Sequence, residues 1–169
     1  SVIPFFRELI PSGKKSMPLT HPDMTRFIIT LDQGVDLVHT ALEKMCGGEI
    51  FVPKLPSLKI KDLIPFLGQG LDAHITGIRP GEKLHEVMIP AEEIRNTIDM
   101  GQYYVIQPNH HWWNVSAFKK VVETKGKVVS GMQEYASNTN TTWLNSSQIS
   151  ELLNKLSGGR WKNVPSENF

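Results

Sequence analysis

Two arginines stand where the chain leaves extended segments. Arg26 lies in Met24-Thr25-Arg26-Phe27-Ile28-Ile29-Thr30, and Arg79 in Gly77-Ile78-Arg79-Pro80-Gly81-Glu82-Lys83-Leu84-His85-Glu86. Pro80-Gly81 fixes a turn directly after Arg79, and Glu82 follows Arg79 by three residues. A planar guanidinium meets phosphate oxygens two at a time, so arginines on two separate loops suit the paired phosphates of a nucleoside diphosphate. An ionised Glu only accepts hydrogen bonds and suits vicinal hydroxyls, such as those of a ribose. The plainer alternatives are solvated surface charges for the arginines and, for Glu82, a partner of Arg79 or Lys83 that orients the loop.

Other reactive residue types carry less. His110 and His111 are neighbours, so on a strand they face opposite ways, and no Cys or carboxylate stands near them at ligand spacing; no metal site is assigned. His85 and Glu86 oppose one another in the same way, so at most one of them faces a ligand. His21 receives no role. Trp112, Trp113, Trp143 and Trp161 could form a stacking platform, but Trp143, just ahead of a helix start, reads as a packing residue. Cys46 is expected to be a small buried or helix-end residue without catalytic use, since no histidine partner is evident. No strand is followed by Gly-x-x-Gly-x-x-Gly, and none of Tyr103, Tyr104 and Tyr135 has a lysine four positions on. No catalytic or cofactor-binding residue is therefore assigned within the chain.

The elements that would position these residues alternate between helix and strand, which makes the fold class α/β. Val2, Ile3, Phe6, Leu9 and Ile10 recur at helical spacing, Pro4 is tolerable in a first turn, and Pro11 with Gly13 ends the segment. Met17 to Thr20 reads as a strand. Thr30 and Gln33 form a capping box, after which Val35, Val38, Ala41, Leu42 and Met45 line one helix face up to Gly47-Gly48. Glu49 to Pro53 is a short strand, and the helix from Ile60 to Leu67 is cut short by Pro65. His74 to Ile78, Leu84 to Ile89 and Tyr103 to Gln107 read as strands, and Ala91 to Ile98 as a helix. Ser137 to Thr142 is a polar loop, Asn145 opens a last helix carrying Ile149, Leu152, Leu153 and Leu156, and residues 157–169 read as a flexible tail.

Composition excludes several classes. With 169 residues, 40% hydrophobic and 21% charged, the chain can bury a core as an ordinary globular protein. A net charge of +1 without a long basic run argues against nucleic acid or an anionic membrane surface as partner. No apolar run approaches the roughly 20 residues that span a bilayer. The single cysteine cannot form an internal disulfide, and the expected location is the cytoplasm. The sequons at Asn114, Asn140 and Asn145 are accordingly read as chance.

The two arginine segments, together with Val2-Ile3-Pro4-Phe5-Phe6 and Gly48-Glu49-Ile50-Phe51-Val52-Pro53-Lys54, resemble the nucleotide-sugar 4,6-dehydratases of the extended short-chain dehydrogenase/reductase superfamily. The match is to the UDP-N-acetylglucosamine 4,6-dehydratase (inverting) group, which starts pseudaminic acid and related surface-sugar pathways, flagellin glycans among them. It runs from residue 1 to about residue 156, with Tyr135-Ala136-Ser137-Asn138-Thr139-Asn140 through Leu153 matching the closing segment. The resemblance implies that the chain is the C-terminal, UDP-sugar-binding half of such an enzyme, with most of the Rossmann half absent and Glu49 to Pro53 a strand of its sheet. It also implies that NADP and the acid/base residues belong to the missing half, and that the complete protein is a homo-oligomer. Hydride would leave sugar C4, a proton C5 and water C6, and hydride would return at C6 with inversion at C5. Carried over residue by residue, the resemblance places Arg26 and Arg79 on the diphosphate, Glu82 on the ribose and the stretch holding Val2, Ile3 and Pro4 at the uracil base. A stand-alone nucleotide-sugar-binding module, an inactive fragment and an epimerase of the same superfamily are the alternatives.

Overall fold

The structure, a computed structural model, describes residues 2–9, 16–67, 70–108, 118 and 126–156. In chain order the elements are α1 (Val2–Leu9), β1 (Ser16–Leu19), β2 (Thr25–Phe27), α2 (Leu31–Lys44), β3 (Ile50–Pro53) and β4 (Ser57–Lys59). A 3-10 turn (Ile60–Leu63) leads to α3 (Ile64–Leu67), β5 (Asp72–Ile75), β6 (Val87–Ile89), α4 (Ala91–Ile94), β7 (Thr97–Asp99) and β8 (Tyr103–Ile106). β9 (Lys127–Val128), β10 (Tyr135–Ala136) and α5 (Ser146–Leu156) follow. The stretch 1–156, expected to act as one half of an enzyme, holds two compact units. The first runs up to Arg26 and includes Ser57–His85 and the residues from Trp143 on; the second comprises Phe27–Pro56 and Glu86–Thr142.

In the first unit, α1 buries Ile3, Phe6 and Leu9, three apart on one face, while Pro4 occupies the first turn, where its missing N–H costs nothing. The Arg7 guanidinium donates to the Leu153 carbonyl of α5 at 2.9 Å. α5 begins at a reciprocal cap: Gln148 N–H donates to Asn145 Oδ1 at 2.9 Å, and Asn145 N–H to Gln148 Oε1 at 3.0 Å. β1 and β5 pair in parallel from Ser16 opposite Asp72 to Leu19 opposite Ile75, and alternation buries Met17 and Leu19. β2 pairs with β4. The helix expected over residues 60–67 is split into the 3-10 turn and the single turn of α3, with Pro65 the second residue of the latter. Trp143 is 36% exposed and bridges Ser57, so it packs less fully than its place ahead of α5 suggests.

The second unit is built on an antiparallel sheet in the order β3-β8-β7-β9. β8 is one of its two inner strands, with all four residues buried: Tyr104 and Ile106 join one cluster with Val52, Ile89, Ile94 and Tyr135, and Tyr103 and Val105 join another with Ile98 and Phe118. Glu49 to Pro53, expected in a parallel Rossmann sheet, is here Ile50–Pro53 and runs antiparallel to β8, Ile50 opposite Ile106. The helix expected over residues 91–98 stops at Ile94, because Thr97 and Ile98 are drawn into the sheet opposite Ile106 and Val105.

The Thr30–Gln33 capping box forms as expected, and α2 follows it to Lys44. Its apolar face does not find a partner among the described residues. No residue of α2 is buried, and Leu31, Val35, Val38, Leu42 and Met45 lie exposed in one stripe, Leu31 at 83% and Leu42 at 67%. Leu37 packs against the Tyr103 cluster, and the Lys44 ammonium, seven residues on, lies 5.5 Å from the Tyr103 ring centre.

Lys54 joins Asp99 through both carboxylate oxygens at 2.7 and 2.8 Å. Burial alone would raise the Asp99 pKa, but the Lys54 bond, the Gly101 amide and the charges of Lys54 and Lys127 together bring it below its ordinary value. A lowered folded-state pKa gives stability that is present above the unfolded value of about 4 and is lost as pH falls through the folded one. Asp99→Asn therefore lowers the stability at pH 7 by about 1 kcal/mol or less for a pair one-third exposed, and with it the melting temperature, and the deficit closes below about pH 4. Melting curves of both proteins between pH 2 and 8 check this.

Candidate functional site

The first unit concentrates the arginines. Arg79 to Glu82 form a type II turn: Glu82 N–H donates to the Arg79 carbonyl at 3.0 Å, and Gly81, at φ +80°, takes the left-handed position that this turn needs. Glu82 closes the turn a second time, Oε2 accepting the Arg79 N–H at 3.2 Å, while Oε1 accepts the Thr20 hydroxyl at 3.3 Å. The loop-orienting alternative for Glu82 is therefore realised, through the Arg79 backbone and not through its guanidinium. Among the described residues no hydrogen bond or ion pair holds the exposed Arg79 guanidinium.

Arg26 is held differently. Its Nη1 donates to the Thr25 carbonyl at 2.7 Å and the Leu84 carbonyl at 3.2 Å, and its Nη2 to the Lys83 carbonyl at 2.8 Å. Thr25 N–H adds a bond to the Leu84 carbonyl at 3.1 Å. Arg26 thus fastens β2 to the segment that leaves the Arg79 turn, and it is part of the architecture as well as a cation.

Both arginines line one cavity of about 330 Å³, together with Glu82 and Val2. The size lies at the lower end of small-ligand sites. Of the six residues expected at the site, these four share the cavity. Ile3 is buried in the interior and Pro4 is exposed, and neither is among the lining residues. Phe5, Phe6, Met24 and Ile60 give the cavity an apolar wall, so cations and apolar surface face one space.

Thr20 and Thr76 also line it and were not foreseen. They follow the carboxyl ends of β1 and β5, and Thr76 N–H donates to the Leu19 carbonyl at 2.9 Å, which sets them side by side. The edge where parallel strands end is a common place for ligands. The missing signal was the pairing of two strands far apart in sequence, which no local pattern reports.

The remaining reactive residues lie apart from the cavity. His85 Nδ1 is 2.8 Å from the Thr25 hydroxyl, and in the second unit the Glu86 N–H donates to the Ser137 hydroxyl oxygen at 2.9 Å while the Glu86 carbonyl accepts the Ser137 N–H at 2.8 Å; β6 starts only at Val87, so strand alternation does not govern either. Cys46 is exposed just beyond α2; burial and then the Glu49 carboxylate push its thiol above the ordinary value, which opposes thiolate chemistry. No group of three His, Cys, Asp or Glu side chains among the described residues is placed to hold a metal ion, and His110-His111 lie outside those residues, as do Trp112, Trp113 and Trp161. Among the described residues no helix is long and apolar enough to cross a membrane.

Residues 1–108 match the model of a family described as "Polysaccharide biosynthesis protein". The chain belongs to this family. Over 164 residues it is 40% identical to the UDP-N-acetylglucosamine 4,6-dehydratase (inverting) of Campylobacter jejuni subsp. jejuni serotype O:2, a match covering 94% of this chain and 48% of the relative. It is 36% identical to the UDP-glucose 4-epimerase of Rickettsia prowazekii over 157 residues, 90% of this chain and 45% of the relative. The X-ray structure of Pen from Bacillus thuringiensis superposes with a TM-score of 0.70 at 23% identity, over 92% of this chain and 45% of that one. The chain spans about half the length of the curated relatives it matches. These likenesses agree with the α/β, short-chain dehydrogenase/reductase type of fold that the sequence implies, of which this family member spans a part.

Proposed function

We propose that the chain is the UDP-sugar-binding portion of a nucleotide-sugar 4,6-dehydratase that turns UDP-N-acetylglucosamine into a 4-keto-6-deoxy sugar with inversion at C5. The observation that carries this reading is the convergence of Arg26, Arg79, Glu82 and Val2 on one cavity with an apolar wall. Arg79 takes the diphosphate with its planar fork, and Arg26 adds positive charge from the cavity wall. Each Glu82 oxygen accepts one protein hydrogen bond and keeps a lone pair for a ribose hydroxyl. The uracil lies toward Val2 at the start of α1, in the stretch that also holds Ile3 and Pro4. Gripping the non-reacting UDP is a use of binding energy, which orients the sugar for chemistry performed elsewhere.

NADP is the hydride carrier of such a reaction. β1 leads into Thr20-His21-Pro22 and β5 into the Arg79 turn, and neither reaches a glycine-rich turn that opens a helix. We assign the cofactor and the acid/base groups to a Rossmann portion outside this chain, and no turnover to the chain alone. The pathway we propose, on the resemblance, is bacterial surface polysaccharide or flagellin glycan synthesis by way of pseudaminic acid, carried out by a homo-oligomeric complete enzyme in the cytoplasm. The open apolar stripe of α2 favours a portion of a larger fold over a self-sufficient binding module. The identity to a UDP-glucose 4-epimerase favours epimerisation as the second reading, and it leaves the UDP-binding role of the cavity the same.

Calorimetric titration tests the binding role. UDP binds the folded chain and uridine binds at least about thirtyfold more weakly, the effect of removing a diphosphate from charged partners. Equal affinities, or no UDP binding by a chain that circular dichroism shows to be folded, contradict the reading.

A further inference from the structure

We infer that Thr20 and Glu82 form a latch that holds the Arg79 turn over the cavity, which makes Thr20 a positioning residue for phosphate recognition. The inference rests on the diphosphate reading of the cavity and goes beyond it, since Thr20 belongs to neither arginine segment. Three observations meet here. The Thr20 hydroxyl donates to Glu82 Oε1 at 3.3 Å, and Oε2 of the same carboxylate accepts the Arg79 N–H at 3.2 Å. Thr20 is itself fixed, because it follows β1, whose Leu19 carbonyl accepts the Thr76 N–H of the neighbouring strand at 2.9 Å. The carboxylate therefore couples the end of the parallel strand pair to the backbone of the turn.

The coupling matters because the Arg79 guanidinium is exposed and has no protein partner among the described residues. Its reach is set by the backbone that carries it, and that backbone hinges on Gly77 and Gly81, both at positive φ. Without an anchor, Arg79 would have to be ordered at the moment of binding, which weakens the complex. The latch also explains a carboxylate so close to an intended diphosphate. A bare anion there would repel the ligand, whereas one that already accepts a hydroxyl and an amide has a structural use in the same place.

Thr20→Val removes the donor and keeps the branched shape, Thr20→Ser keeps the donor, and Thr20→Ala repeats the loss without the extra methyl. Two readouts on the whole chain are needed: hydrogen exchange of the Arg79 amide, and affinities for UDP and uridine. With the latch, Thr20→Val and Thr20→Ala raise the Arg79 amide exchange rate several-fold and weaken UDP roughly five- to tenfold, while uridine stays within about twofold and Thr20→Ser resembles the parent. Unchanged Arg79 exchange in both donorless variants overturns the latch. Equal weakening of UDP and uridine overturns the role in phosphate recognition, because the loss then lies in the nucleoside contacts that both ligands share. A parent chain that binds no UDP overturns the diphosphate reading, and with it the role in phosphate recognition, while the exchange measurement still decides whether the latch exists.

Discussion

Arg79→Ala weakens UDP binding by about 2 kcal/mol, roughly thirtyfold, and leaves the melting temperature unchanged, whereas Arg26→Ala lowers both. The contrast follows from what each guanidinium touches. Arg79 is exposed on a turn whose closing bonds are made by backbone atoms and Glu82, so truncating its side chain leaves the turn intact. Arg26 donates to the carbonyls of Thr25, Lys83 and Leu84, and its loss removes three charge-assisted bonds at once. The expected cost to stability is about 2–3 kcal/mol, which in a chain of this size lowers the melting temperature by about 5 °C or more. Lysine at position 79 recovers only part of the affinity, because it keeps the charge and loses the fork. Calorimetry of the four proteins, scanning and titrating, supplies every number needed. A loss of stability in Arg79→Ala matching that of Arg26→Ala would show that both arginines are structural.

The second large effect lies in the other unit. Tyr135→Phe destabilises the chain by about 1–3 kcal/mol, the range for leaving a buried polar group unpaired. The Tyr135 hydroxyl accepts the Leu55 N–H at 2.7 Å and donates to the Leu55 carbonyl at 3.2 Å, both buried. That carbonyl also accepts the Asn140 amide at 2.8 Å, so the orphan created by the substitution is the Leu55 N–H. The aromatic contacts survive, with ring centres 4.8 Å from Phe27 and 5.2 Å from Tyr104. The expected cost is thus the hydroxyl's alone. Urea unfolding of the two proteins checks it, and a difference under about 0.5 kcal/mol would mean that water or a relaxed backbone replaces the bond.

The parts of this fold that could be read from the sequence are those set by neighbours in the chain. Thr30 with Gln33, Asn145 ahead of the last helix and Pro80-Gly81 after Arg79 each dictate a local geometry, and each is found as expected. Reading fails where distant segments decide. Periodicity groups Val35, Val38, Leu42 and Met45 on one face of α2 but says nothing of what covers that face. Glu49 to Pro53 is recognisable as a strand from its residues, while its antiparallel partner β8 is not. The candidate site divides in the same way. Arg26, Arg79 and Glu82 stand out by residue type, but Thr20 and Thr76 become neighbours only through the β1–β5 pairing. At the start of α1, helical geometry turns Ile3 inward and leaves Val2 on the cavity, a distinction that a stretch matched as a whole cannot make.

The most direct measurement is the structure of the chain with UDP bound. The account predicts both phosphates in the cavity between Arg26 and Arg79, with phosphate oxygens about 2.7–2.9 Å from the Arg79 guanidinium nitrogens. It also predicts the Thr20–Glu82–Arg79 bonds intact and the base toward Val2. UDP bound elsewhere on the chain, or bound in this cavity with the Arg79 guanidinium turned to solvent, would contradict it.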